Sequence, residues 1–454
     1  MAVRTALAPL LLLATLVACA TGPQPSPPPS SVQACSGAWR LSDGRGVTAT
    51  PIEGGLRWRT LEGETGRLVL GADGQWHASQ GGAIDQGEAR ISFSCPGGMN
   101  AFDGFAATAV QTAVVETVFP GSGGVRLAGR LILPAGSDAV PVMVQVHGSE
   151  QTSARVFDPF QQLLPLQGVG VFVYDKRGTG GSEGRYTQDF DVLAEDAAAA
   201  AREARRLAGV RLARLGLHGA SQGGWVAPLA ASGVAADFLI VSYGLLESPL
   251  EENRAQTILG VREAGFGLEE QAAAGDLADA AGAVMASGFR DGFGELEVLR
   301  REHREAPWFT AVKGEFTAEV LRYPPVLLRV FGPLRSQGTS WRHQGEPVLR
   351  ELQMPVLWIL AGEDREAPPQ HTRSRLATLI AEGRQIHLAE FAGADHGMRL
   401  VDTATDGSRR WKRYAAGYFS VVGDFAHGRR LENTGAALVT QGPAMTAASQ
   451  VRPN

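Results

Sequence analysis

From Val114 onward the chain alternates strand-like apolar runs with helical stretches, and this rhythm limits the fold more than any other feature. The runs are Val114–Phe119, Arg126–Leu133, Val142–His147, Val169–Tyr174, Leu215–His218, Phe238–Ser242, Pro355–Leu360 and Gln385–Phe391. Strand followed by helix, repeated, is the pattern of a mostly parallel sheet covered by helices on both faces. The sequence therefore predicts an α/β fold with eight strands. Helices are expected at Asp189–Leu207, Gln222–Ala231 and Gln370–Ala381, the first carrying acids early and arginines late, as the helix dipole favours. The rhythm breaks between about Leu246 and Gln353, where charge-rich helical text separates two strands. A structureless loop of that length is improbable, so a helical cap inserted over the carboxyl ends of the strands is expected. The larger unit is thus read as residues 109–425 with its cap at about 246–353, and 426–454 as a disordered tail.

The text upstream has a different character. Between Cys35 and Ala107, Gly-rich turns separate short alternating runs such as Gly55-Leu56-Arg57-Trp58-Arg59 and Gly66-Arg67-Leu68-Val69-Leu70, which predicts a small antiparallel β unit over 34–108. In it His77, Trp58 and Trp76 read as core or strand-face residues rather than a binding face. Before it, Arg4 and the apolar run Ala6–Val17 have the form of an export signal over 1–18, too short to span a bilayer comfortably. Leu16-Val17-Ala18-Cys19 resembles the lipobox of bacterial lipoproteins, which implies lipidation at Cys19 and a membrane anchor on the periplasmic face of the outer membrane. The Pro/Ser-rich stretch 22–31 suits a tether over 19–33. Export would put Cys35 and Cys95 in an oxidising compartment, where they are expected to pair. The formal net charge of -5 and the lack of a basic stripe argue against nucleic acid. Small molecules or peptides are the expected ligands.

Chemistry concentrates in Gly219-Ala220-Ser221-Gln222-Gly223, lying between a strand and a helix. Glycines are needed there because a strand-to-helix turn this tight leaves no room for side chains, and the serine projects from it. A serine hydroxyl is a weak nucleophile and needs a base, usually a histidine held by a carboxylate, which follow the serine in the order acid, then histidine. Of the later histidines, His303 and His343 fall in the cap, His371 in a helix, His387 in a strand and His427 in the tail. His396, in the small-residue loop after the last long strand, is the expected base. Asp364, Glu363 and Asp395 compete for the acid. For the oxyanion, the backbone N–H of Gln222 is the first expected donor, and Ser149, in His147-Gly148-Ser149-Glu150, the second, with Gly148 and Glu150 as alternatives. His147 reads as structural.

Residues 114–425 resemble the α/β-hydrolase superfamily, in particular bacterial envelope members related to acyl esterases and prolyl-oligopeptidase-like hydrolases. The resemblance rests on His147-Gly148-Ser149, on Tyr174-Asp175-Lys176-Arg177-Gly178-Thr179-Gly180-Gly181-Ser182, and on the Ser221 pentapeptide. It implies a triad of Ser221, Asp364 and His396, Asp364 being favoured by its distance from the following proline, although Ala361 stands where relatives commonly have glycine. It also implies that the 174–182 loop braces the serine turn rather than binding an anion. Acyl-enzyme hydrolysis of a carboxylic ester is the expected activity, with a peptide or aminoacyl amide as the nearest alternative and a retired binding scaffold as the non-enzymatic one. Neither a cofactor nor a metal is expected, since no cluster has ligand spacing and no dinucleotide motif opens a βαβ unit.

Overall fold

The computed structural model describes residues 32, 34–72, 74–79, 91–95, 98–314, 316–404, 409–431 and 435–442. The export signal, Cys19 and most of the tether lie outside them. In the upstream unit, period-two alternation sorts side chains between the two faces of a sheet. Its strands are β1 (Gly37–Leu41), β2 (Gly46–Ile52), β3 (Gly55–Thr60), β4 (Thr65–Leu70), β5 (Trp76–Ala78), β6 (Ile91–Ser94), β7 (Gly98–Phe102) and β8 (Phe105–Ala109). All pair antiparallel, in the order β5-β4-β3-β2-β1-β8-β7-β6. Trp76 meets Phe93 edge-on at 5.3 Å, so the two end strands approach and the sheet curls into a barrel-like shape. Trp39, Leu41, Val47, Ala49, Leu56, Trp58, Leu68, Met99 and Phe102 fill its interior. Trp58 is thus core, and its indole N–H donates to the Ser79 carbonyl at 3.0 Å. Cys35 and Cys95 are disulfide-bonded, their Cα atoms 5.8 Å apart.

The larger unit follows with β9 (Thr112–Pro120), β10 (Arg126–Pro134), β11 (Val140–Val146), β12 (Gly170–Tyr174), β13 (Leu212–Ala220), β14 (Phe238–Ser242), β15 (Val356–Ala361) and β16 (Ile386–Phe391). Three further short strands, β17 (Ala394–Asp395), β18 (Arg399–Thr403) and β19 (Arg409–Tyr414), form a separate small sheet. Last comes β20 (Leu438–Thr440). The main sheet has nine strands, in the order β20-β16-β15-β14-β13-β11-β12-β10-β9. Neighbours from β12 to β16 run parallel; β9, β10 and β20 are antiparallel additions at the edges. The expected eight strands are present, and β20 corrects the count. It also corrects the reading of 426–454 as disordered: Leu438–Thr440 pairs with β16, and Gln441 bonds the His387 ring at 3.1 Å.

Helices cover both faces because the central strands are apolar on both. The longer helices of the body are α1 (Phe190–Ala208), α2 (Gly223–Ser232) and, after the cap, two more. α1 starts at Asp189, whose carboxylate accepts from the N–H groups of Asp191 and Val192, and it buries a run of alanines against the sheet. The cap comprises α3 (Pro249–Glu263), α4 (Leu268–Ala286), α5 (Phe293–His303), α6 (Thr317–Arg322), α7 (Pro325–Arg335) and α8 (Gly345–Glu351). It has its own core of Val261, Leu277, Ala281, Val284, Phe293, Leu296 and Trp308. Ser248 and Glu251 form a reciprocal capping box at the start of α3, with Pro249 in the first turn. The last two helices are α9 (Gln370–Ala381) and α10 (Tyr418–Ala426). Thr372 of α9 bonds the Leu246 N–H at 2.9 Å, fixing the cap's root to the body.

Candidate active site

β13 runs into Ser221, which sits at φ 53°, and α2 begins two residues later. A left-handed backbone costs a non-glycine residue roughly 1–2 kcal/mol, so neighbouring contacts must hold it. Ser221 N–H donates to the Ser242 carbonyl at 3.1 Å, and its own carbonyl accepts from Gly224 N–H at 2.7 Å. The flanking glycines are steric necessities. A Cβ on Gly219 would lie 2.1 Å from the Gly223 carbonyl oxygen, and one on Gly223 only 1.9 Å from that of Val146, at the end of β11.

His396 occupies the turn between β17 and β18. Its Nε2 is 3.1 Å from Ser221 Oγ and its Nδ1 is 2.9 Å from Asp364 Oδ2. A carboxylate only accepts, so the ring donates from Nδ1 and presents Nε2 to the serine. Asp364 is buried in the loop after β15, and its other oxygen accepts from the N–H groups of Glu366 at 2.9 Å and Ala367 at 2.8 Å. Burial disfavours a charged imidazole here, but the Asp364 carboxylate outweighs it, and with Glu366 and Glu252 it lifts the His396 pKa to about 9. Of the rival acids, Glu363 is exposed and Asp395 pairs with Arg399 at 3.3 Å. The cap reaches this loop as well, since the Gln256 amide of α3 donates to the Glu366 carbonyl.

The second wall is the loop after β11. Gly148 lies so near the serine that a Cβ on it would stand 3.2 Å from Ser221 Cβ. Lys176, buried, donates to the Gly148 carbonyl, and Tyr186 O–H donates to that of Ser149 at 2.7 Å. Burial lowers the Lys176 pKa to about 8. Gln222 is the N-cap of α2, where backbone N–H groups lack intrahelical acceptors. His147 lies 3.7 Å from Glu150 and packs at 6.4 Å on Tyr174.

Asp175 and Arg177 face inward. Asp175 accepts from Ser153 Oγ at 2.7 Å, Gly181 N–H at 2.9 Å and Arg155 N–H at 3.2 Å; Arg177 forks onto Asp196 with both bonds at 2.7 Å. These contacts brace the loop and match the charges of Asp175 and Arg177. Sequence reasoning did not single out Tyr243, which packs edge-on against His396 at 4.9 Å from a φ of 43°, nor Arg399, whose Nε donates to the His396 carbonyl at 2.9 Å. Tyr243 follows β14 directly, a position where parallel sheets gather site residues.

Among solved structures, an esterase of Pyrococcus furiosus is 16% identical, with 63% of this chain covering 84% of that one at a TM-score of 0.42. A hypothetical protein of Pseudomonas aeruginosa is 18% identical, with 70% of this chain on 94% of that one at 0.38. The acylaminoacyl peptidase of Pyrococcus horikoshii is 15% identical, with 80% of this chain on 52% of that one at 0.40. No curated protein matches the chain. The alpha/beta hydrolase family matches residues 142–407, more than half of the sequence and the whole span from β11 to the far side of His396, and the chain belongs to that family.

Proposed function

We propose that this protein is a serine hydrolase that cleaves carboxylic esters through an acyl-enzyme. The carrying observation is the unbroken line from Ser221 Oγ through the His396 ring to the buried Asp364. In the first step Ser221 Oγ bonds to the substrate carbonyl carbon while His396 Nε2 takes its proton, and Asp364 stabilises the imidazolium. Backbone N–H groups of Gln222 and the 148–150 loop, with Ser149 as the favoured donor, receive the developing oxyanion. His396 then protonates the departing alkoxide, and a water activated by the same ring hydrolyses the acyl-serine. A fluorophosphonate probe is expected to label the protein and to fail on Ser221→Ala; an unlabelled wild-type protein overturns the reading. Nitrophenyl esters tested beside aminoacyl anilides separate ester from amide chemistry, and turnover of the anilides alone would reverse the ester preference.

The same proposal places the protein at the cell envelope, exported and lipidated at Cys19. The Cys35–Cys95 disulfide supports it, since such bonds persist in oxidising compartments. Cys19→Ser is expected to move the protein from the detergent phase to the soluble fraction; an unchanged distribution would sink the anchor.

A further inference from the structure

Beside His396 runs a groove of about 190 Å³, lined by Arg365, Glu366, Asp395, Arg399, Arg409 and Trp411. Trp411 belongs to β19, and Arg57 of the upstream sheet lies over its ring at 4.4 Å. The next β19 aromatic, Tyr414, carries Arg59 in the same manner at 5.5 Å, with Arg59 Nε donating to the Tyr414 hydroxyl at 3.2 Å. The backbones join too, Tyr414 N–H donating to the Gly63 carbonyl at 2.8 Å. The upstream sheet is therefore part of the surroundings of the groove.

The charges at this seam are unbalanced. Arg365 is matched by Glu263 at 2.8 Å and Arg399 by Asp395 at 3.3 Å, leaving Glu366 as the acid at the rim. Arg57, Arg59 and Arg67 form no ion pair within 4 Å among the described residues, and Arg409 shares the field of Asp395 with Arg399. Arg57 Nη1 and Arg67 Nε are buried without a hydrogen-bond acceptor. Burial first, then the like charges of Arg59, Arg67 and Arg399, pull the Arg57 guanidinium down to about 10. Burial alone would raise the Tyr414 hydroxyl, yet Arg59 and Arg57 overturn that and hold it below its ordinary value. Crowded guanidiniums without acids destabilise a fold; Arg409 lines the cleft and Arg57 stands over the ring of Trp411, which lines it too, so an anion there would relieve them.

We propose that the upstream sheet completes the substrate groove, and that Arg57 and Arg409, flanking Trp411, recognise a carboxylate carried on the leaving-group side of the ester. This rests on the serine hydrolase reading. Its geometry follows from the proton path: His396 hands its proton to the leaving group, so that group lies against His396, and whatever extends beyond it enters the groove.

The test compares 4-acetoxybenzoate with its neutral isostere 4-acetoxybenzamide on the full-length protein. Wild type is expected to favour the anion by about tenfold in kcat/KM, the scale of one charge-assisted contact. The preference should fall with added salt. Arg57→Met, which keeps an apolar stem on Trp411, and Arg409→Met should each bring the ratio near one. A wild-type ratio near one, with the neutral ester turned over, overturns the groove and leaves the hydrolase standing. So does a preference confined to an acyl-side carboxylate, read with mono-nitrophenyl glutarate against nitrophenyl butyrate. Absence of turnover of every ester defeats the hydrolase instead. Calorimetric titration of both acetoxy compounds into Ser221→Ala then reads the anion site by itself: tighter binding of the benzoate, lost in the double variant with Arg57→Met, supports it, and equal binding refutes it.

Discussion

Arg177 and Arg57 are both arginines packed near the catalytic body, and the fold treats them in opposite ways. Arg177 makes two 2.7 Å bonds to Asp196, whose carboxylate also accepts from the Ser122 N–H at 2.8 Å. Asp175, one strand end away, is saturated by Ser153, Arg155 and Gly181. Arg57 has an aromatic ring beneath it, other arginines around it and a buried nitrogen without an acceptor. Matched charges behind the serine fix a geometry; unmatched charges at the seam maintain a potential. Rigidity belongs to the first region, and recognition is the role proposed for the second.

The largest expected effects fall on the rigid side. Asp364→Asn keeps the shape but lets the His396 ring take the wrong tautomer, and kcat is expected to drop by about 10,000-fold. The wild-type pH profile belongs to the same device. His396 accepts a proton only when neutral, and with its pKa raised to about 9 the ring is mostly charged at pH 7. kcat/KM should therefore climb by about fiftyfold between pH 7 and pH 9. In Asp364→Asn the residual activity should level off at lower pH, because the charge that raised the pKa is gone. The ring's raised pKa also ties stability to pH with the opposite slope: that stabilisation is complete below about 6.5 and is lost as pH rises towards 9. A flat activity profile from pH 6 to pH 9 would refute the arrangement. Next in size is Lys176→Met, which releases the Gly148 carbonyl and with it the aim of the oxyanion loop. A loss of about a hundredfold in kcat with little change in KM is expected, the scale of one misplaced oxyanion donor.

How far the sequence exposes each region follows from the kind of constraint. Ser221 is legible because the turn tolerates only glycine at 219 and 223, a local steric rule. His396 is legible by position, being the histidine in a small-residue loop after a long strand. The acid is less so: Glu363 and Asp364 are adjacent carboxylates, and what separates them is which one turns inward to meet the N–H groups of residues 366 and 367. The small sheet of β17, β18 and β19 is hidden, because one strand has two residues and another, Arg409–Tyr414, is mostly charged. β20 has three residues and leans on β16 for its existence. The seam is hidden for the same reason. Alternation in β3 puts Arg57 and Arg59 opposite the barrel core, where they read as a solvated face; β19, distant in sequence, covers them.

The smallest effect divides the two regions most cleanly, since it concerns stability and needs no substrate. Arg177→Met strands the Asp196 carboxylate, which is 1% exposed, without its cation. Breaking a buried pair from one side costs about 3 kcal/mol, visible as a lower denaturant midpoint at unchanged slope. Arg57→Met strands no acid, removes one of several repelling guanidiniums and keeps a stem on Trp411. Its midpoint should stay level or rise, with a change of about 1 kcal/mol at most. Salt should distinguish them further: screening relieves like-charge repulsion, so the gain from Arg57→Met should shrink as ionic strength increases, whereas the Arg177 loss, seated in a buried pair, should persist. If Arg57→Met destabilised the protein as much as Arg177→Met does, the seam arginines would be structural, and the division between a braced region and a recognising one would fail.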